Sequence, residues 1–172
     1  MNLIAISADG PRSGKTTMAG LIATQLLVRG HNSKLLSFAQ PIKDLAIEHF
    51  GWDGEKDKRG RDLLINLGTV TGREYDPDIW VKKWQDRVID TLSTFPDSYI
   101  ICDDLRFENE YFAVRRMGGT IMRVTRPGYE RPGLLAEGFQ PPPDLVDYTY
   151  RNDEDIKAME SWARETVEEL TK

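Results

Sequence analysis

Gly14-Lys15-Thr16 lies between a short apolar run, Leu3 to Ser7, and a helix-length apolar segment. Such a stretch is built to hold phosphate. Consecutive backbone N–H groups turn inward, the lysine reaches the outer phosphates, and the hydroxyl holds a magnesium ion. The helix that starts there adds its positive end. Gly10, Arg12, Ser13, Gly14, Lys15, Thr16 and Thr17 are the candidate cradle residues. The full motif, G-x-x-x-x-G-K-[ST], needs its first glycine where this chain has Asp9, with Gly10 one place late. Aspartate tolerates left-handed backbone better than most residues, so the cradle is expected to work. Arg12 or the metal is expected to offset the extra charge.

The chain carries 14 arginines and 9 lysines, yet its formal charge is -5. An acidic balance exerts no global pull on nucleic acid or membranes, so cationic chemistry must be local. Arginine grips oxyanions with a planar fork, which a lysine point charge cannot do. A single cysteine, Cys102, excludes an internal disulfide and fits a reducing, cytoplasmic setting. No apolar run approaches the ~20 residues that span a bilayer, and the start lacks the pattern of a signal peptide. His31 and His49 show no metal-ligand spacing.

The elements that must position these groups alternate. Strand-length apolar runs at 3–7, 34–38, 99–102, 120–124 and 146–150 are separated by helical patterns at 14–29, 41–51, 63–67, 79–95, 108–117 and 153–170. Trp80, Trp84, Val88 and Leu92 form one helical stripe. Asn152 or Asp153 is the expected cap of the last helix. The charged stretch from Trp52 to Asp62 is expected to be mobile, and the Pro-rich stretch around 127–145 to be a lid. At 172 residues, this describes one α/β domain with a five-stranded parallel sheet covered by helices on both faces. Ligands of such sheets bind beyond the carboxyl ends of the strands. The loop after the first strand, Asp103-Asp104-Leu105-Arg106 after the third and Arg126 after the fourth all fall there.

The ordered set "PRSGKTT", "SFAQPIKDLA", "LLINLGTVTGREYDPDIWV", "DDLRFENE" and "YTYRND" resembles the bacteriophage deoxynucleoside monophosphate kinase family, a branch of the P-loop nucleoside and nucleotide kinases. The resemblance runs over most of the chain and is weakest at 52–58 and in the Pro-rich stretch. It implies the three-layer P-loop fold with a short lid, acceptor-binding helices at about 41–95, and Mg2+-assisted transfer from ATP to a deoxynucleoside 5'-monophosphate.

Phosphoryl transfer needs alignment and charge cancellation more than covalent help. Lys15 is expected to bridge donor phosphates, Thr16 to hold the metal, and Thr17 to bond the α-phosphate. Asp104 matches the family's D-x-R-F block and is assigned to the metal or to orienting the acceptor, with Asp103 in reserve. Arg106 and Arg73 are assigned to the acceptor phosphate. Lys43 resembles the family's substrate-side lysine, and Phe38 and Trp80 are candidates to wall the base. Arg126, among the lid-flanking Arg123, Arg126 and Arg131, is the candidate for the transferring phosphate, and Asn152 for the donor adenine. Another acceptor, such as a phosphorylated metabolite or a modified base in DNA, stays open, as does a regulatory module that transfers nothing. A homodimer through aromatics near Trp162 or Tyr111 is also open.

Overall fold

A computed structural model describes residues 2–10, 12–129, 139 and 141–172. Five strands form one sheet in the order β2-β3-β1-β4-β5. They are β1 (Leu3–Ala8), β2 (Ser33–Leu35), β3 (Tyr99–Cys102), β4 (Thr120–Thr125) and β5 (Tyr148–Arg151). Every pairing is parallel, so crossovers must lay helices on the sheet faces.

The period-two alternation of β1 sorts its residues between two cores. Ile4 and Ile6 face a core made with α1 (Lys15–Val28) and α6 (Ile156–Leu170), through Met18, Ile22, Leu26, Met159 and Val167. Leu3 and Ala5 face the opposite core, with Val81, Trp84 and Val88 of α4 (Ile79–Thr94) and Tyr111 and Val114 of α5 (Glu108–Arg116). Buried on both faces, β1 has no polar alternation to show, which is why it reads as a continuous apolar run.

A third, smaller core stands apart from the sheet. Ile42 and Ala46 of α2 (Gln40–Phe50) pack there with Leu67 and Trp80. This arm includes α3 (Lys58–Ile65), which runs straight into a π-helical segment, Asn66–Arg73. The expected mobile stretch is thus partly helix. Asp57 caps α3 by accepting the Gly60 N–H at 2.7 Å, and Trp52 donates to the Glu55 carbonyl at 2.8 Å. A glycine at the third helical position hid that start. The cap of α6 is Asp155 rather than Asn152 or Asp153.

Most of the expected lid, with Arg131, lies outside the described residues. The aromatics expected at a dimer face are occupied within the chain. Tyr111 is buried with its hydroxyl on the Leu145 carbonyl, and Trp162 packs on Tyr148 and Tyr150. Among the described residues no helix is long and apolar enough to cross a membrane.

Candidate active site

One cavity of about 930 Å³ opens at the carboxyl ends of the strands. That volume falls at the upper end of ordinary small-molecule sites. Among the described residues, eight cationic and three acidic side chains line it. A chain of net charge -5 thus places eight of its 23 lysines and arginines around one cavity.

The first wall is the cradle. Arg12, Ser13, Gly14, Lys15, Thr16 and Thr17 all line it. Gly14 has φ 100, and a Cβ there would sit 2.9 Å from Asn152 Nδ2 and 3.2 Å from Met159 Cε. Both the backbone and the close approach of the Asn152 and Met159 side chains require glycine. Arg12 takes the other left-handed position, at φ 60. Asn152 donates from Nδ2 to the Ser13 carbonyl at 2.9 Å and so ties the cradle to the end of β5. Gly10 does not reach the cavity wall; its carbonyl accepts the Ser13 hydroxyl at 2.7 Å.

Asp9 departs from the expectation. Its backbone is not left-handed, so no glycine is needed there, and Arg123 offsets its charge, with Nε and Nη2 each 2.7 Å from Asp9 Oδ1. The pair is 12% and 17% exposed for Asp9 and Arg123, and Arg123 also reaches the Pro141 carbonyl at 3.4 Å. Asp9→Gly would restore the motif's glycine yet strip Arg123 of its carboxylate. We expect the change to destabilise the fold by roughly 2–3 kcal/mol, at or below the lower end for breaking a buried pair. Urea unfolding checks this; equal or higher stability contradicts it.

Lys15, the first residue of α1, has its ammonium pKa lowered. Burial is the main cause and the nearby Arg106 charge the second, with Asp103 and Asp104 opposing both. Such a lysine gains most from an arriving polyphosphate. Arg126 donates to the Arg12 carbonyl at 2.9 Å and stacks on Tyr129 at 4.1 Å. It stands on the donor side, against the cradle.

The two adjacent aspartates bond in different directions, and it is Asp103, the reserve choice for the metal, that meets the cradle. Asp103 accepts the Thr16 hydroxyl at 3.0 Å and the Ser37 hydroxyl at 3.3 Å. Asp104 turns the other way. It accepts the Phe38 N–H at 2.9 Å and the Ala39 N–H at 3.0 Å, and the Cys102 thiol at 3.2 Å. It thereby caps α2 across the chain, a negative group at a helix N-terminus. Burial raises the Cys102 thiol well above its ordinary range, and the Asp104 charge adds to that; the thiol acts as packed core.

The second wall faces the cradle across Lys15. Arg73, Arg106, Lys43 and Phe107 line it. Arg73 is stacked 3.9 Å from the Phe107 ring, donates to the Gly68 carbonyl at 3.2 Å, and pairs with Glu110 at 3.1 Å. The π-helical segment makes this possible by aiming the Gly68 carbonyl inward. Packing there tolerates little, since a Cβ on Gly72 would meet Trp80 at 2.6 Å. Arg106 is exposed to the cavity and forms no ion pair among the described residues. Ile42, Leu64, Ile65 and Thr69 continue this wall toward Lys56 and Arg61.

The two aromatic candidates part: Trp80 leaves the cavity wall and Phe38 stays on it. Trp80 is 3% exposed, is absent from the cavity wall, and donates to the Gly68 carbonyl at 2.8 Å. Phe38 lines the cavity, though it is 2% exposed and its ring packs on Trp84 at 4.2 Å. Sequence reasoning missed Lys56 and Arg61, which lay in the stretch expected to be mobile, and Ser37 and Glu110. A signal for Glu110 existed. An acid three residues after Phe107 can fold back onto the backbone at a helix start, as it does here.

The residues present fit magnesium. Asp103 with the Thr16 and Ser37 hydroxyls is a hard oxygen set beside the cradle. No group of three His, Cys, Asp or Glu forms a closed metal cage among the described residues. Magnesium commonly uses few protein carboxylates, completing its shell with waters and substrate phosphates.

The sheet order, the helices on both faces and the cradle after β1 make up the fold of the P-loop kinases. The Campylobacter jejuni dephospho-CoA kinase superposes on 98% of this chain and 96% of its own, with TM-score 0.56 and 11% identity. The Mycobacterium tuberculosis APS kinase CysC, in complex with AMPPNP and APS, covers 99% of this chain and 98% of its own, with TM-score 0.54 and 14% identity. An Acanthamoeba polyphaga mimivirus protein, provisionally named a deoxynucleotide monophosphate kinase, is 27% identical over 143 residues, 69% of this chain and 72% of its own. No family model matches.

Proposed function

We propose that the chain transfers the γ-phosphoryl group of ATP to the 5'-phosphate of a deoxynucleoside monophosphate. The observation that carries this reading is the pairing of two phosphate-binding walls in one cavity. The cradle and Lys15 form one, Arg73 and Arg106 the other, and Thr16–Asp103 lies at the cradle's edge. A module that only binds nucleotide has no use for the second wall. The choice of a deoxynucleotide acceptor is supported by the mimivirus relative.

In this mechanism the cradle amides and Lys15 hold the β- and γ-phosphates of the donor. Thr16 and Asp103 would hold magnesium, which would cancel charge on the donor phosphates. Arg73 and Arg106 fix the acceptor phosphate with its attacking oxygen in line. Arg126, anchored on the Arg12 carbonyl, contacts the donor phosphates from the lid side, and Asn152 borders the donor base. Lys43 neutralises the acceptor, and the apolar stretch of Ile42, Leu64 and Ile65 walls its base. Fixed cations in a shielded site stabilise spreading charge without reorganising as the reaction proceeds.

The test is incubation with ATP and magnesium against the deoxy- and ribonucleoside monophosphates, with the products separated chromatographically. Diphosphate formed from a deoxynucleotide is the expected result. ADP release at one rate whatever the acceptor, with no diphosphate formed from it, would refute the reading.

A further inference from the structure

Glu110 is 2% exposed, yet it borders the cavity at the Arg73 wall. Its Oε1 accepts from Arg73 Nη2 at 3.1 Å. Its Oε2 accepts two backbone N–H groups, from Arg106 at 2.8 Å and Phe107 at 3.0 Å. One carboxylate thus fixes the side chain of one acceptor-side arginine, the backbone of the other, and the residue whose ring the first stacks upon.

The ionised form is not comfortable there. Burial raises the carboxyl from 4.5 to about 7; the Asp104 charge adds to this, while the Arg106 and Phe107 N–H groups and Arg73 oppose it. A carboxylate with a raised folded-state pKa costs stability that grows as pH climbs from 4.5 to about 7. The fold carries that cost beside a substrate pocket, where such groups more often serve function than stability.

We propose that Glu110 is the positioning residue of the acceptor wall: it holds Arg73 before the acceptor arrives and yields it to the incoming phosphate, taking up a proton from solvent. The bookkeeping is simple. An O–H bond forms at Oε1, the Arg73 N–H turns to a phosphate oxygen, and Oε2 keeps both backbone N–H groups. A phosphate dianion that draws Arg73 away leaves an ionised Glu110 buried without its ion-pair partner and beside a like charge, and both favour the protonated carboxyl. The groups facing Glu110 are Arg73 from the π-helical segment, Arg106 and Asp104 from the β3–α5 loop, and the Cys102 thiol of β3. The inference rests on Arg73 and Arg106 forming the acceptor wall.

Calorimetry tests it on the intact protein. Binding of dAMP, dCMP, dGMP and dTMP is measured at pH 8 in two buffers of different ionisation enthalpy. At that pH the 5'-phosphate is already a dianion, so any proton taken up belongs to the protein. We expect uptake of up to one proton per acceptor bound. Acceptor affinity should fall as pH rises from 7 to 9, by at most about tenfold per unit for one linked proton. In Glu110→Gln the amide oxygen keeps the two backbone N–H groups, so uptake should vanish and the acceptor profile flatten while ATP affinity holds. Acceptor binding without proton uptake in the unaltered protein overturns the inference alone, as does uptake that persists in Glu110→Gln. Failure of all four nucleotides to bind overturns the acceptor assignment and the inference with it.

Discussion

Lys15→Ala is expected to lower phosphoryl transfer roughly 10²–10³-fold, the loss seen when one fixed donor to developing charge is removed. Folding should survive. Burial and the Arg106 charge already work against the ammonium, so deleting it relieves the folded state rather than weakening it. The cradle's shape comes from Gly14 and from the Asn152 bond to the Ser13 carbonyl, neither of which involves Lys15. Steady-state kinetics beside a urea unfolding curve separates the two effects. Comparable turnover in the variant would refute the role given to Lys15, and joint loss of turnover and stability would show a structural one.

The second large effect distinguishes neighbours. Asp103→Asn should cut turnover about 10–100-fold, the range for groups that orient a metal's shell, and extra magnesium should recover part of it. Asp104→Asn should act differently. The Phe38 and Ala39 N–H groups sit on separate oxygens of Asp104, so an amide sets its own NH2 against one of them, and an unmet buried donor costs about 1–3 kcal/mol. Because that bond anchors α2, stability should fall and the acceptor KM should rise. Magnesium titration and chemical unfolding of both variants check the contrast. If Asp104→Asn proves the magnesium-dependent one, the division of roles is reversed.

The cradle was legible in the sequence because its chemistry is local. Gly14, Lys15 and Thr16 are adjacent, and the strand before them and the helix after them can be read within a few residues. The parallel sheet followed from alternating apolar runs for the same reason. What the sequence hid was tertiary. Asp9 finds Arg123 across 114 positions, so the missing motif glycine looked like a defect when it is half of an ion pair. Arg73 and Glu110 are 37 positions apart, and no local pattern joins them. Asp103 and Asp104 follow a strand, where successive side chains point to opposite sides; composition cannot say which faces Thr16. The Trp80–Trp84 stripe announced burial but not that its two rings enter different cores. The short helix read at 63–67 falls short of the π-helical segment, which runs to Arg73, because the turn's extra residue leaves no mark on apolar spacing.

The most direct test follows the phosphorus atom itself. ATP labelled at the γ-phosphate is mixed with magnesium, the protein and the deoxynucleotide that supports turnover. The label should emerge in the β-phosphate of the deoxynucleoside diphosphate, and Lys15→Ala should suppress its appearance. Label released only as inorganic phosphate, at the same rate with or without the acceptor, would contradict transfer between the two walls of this cavity.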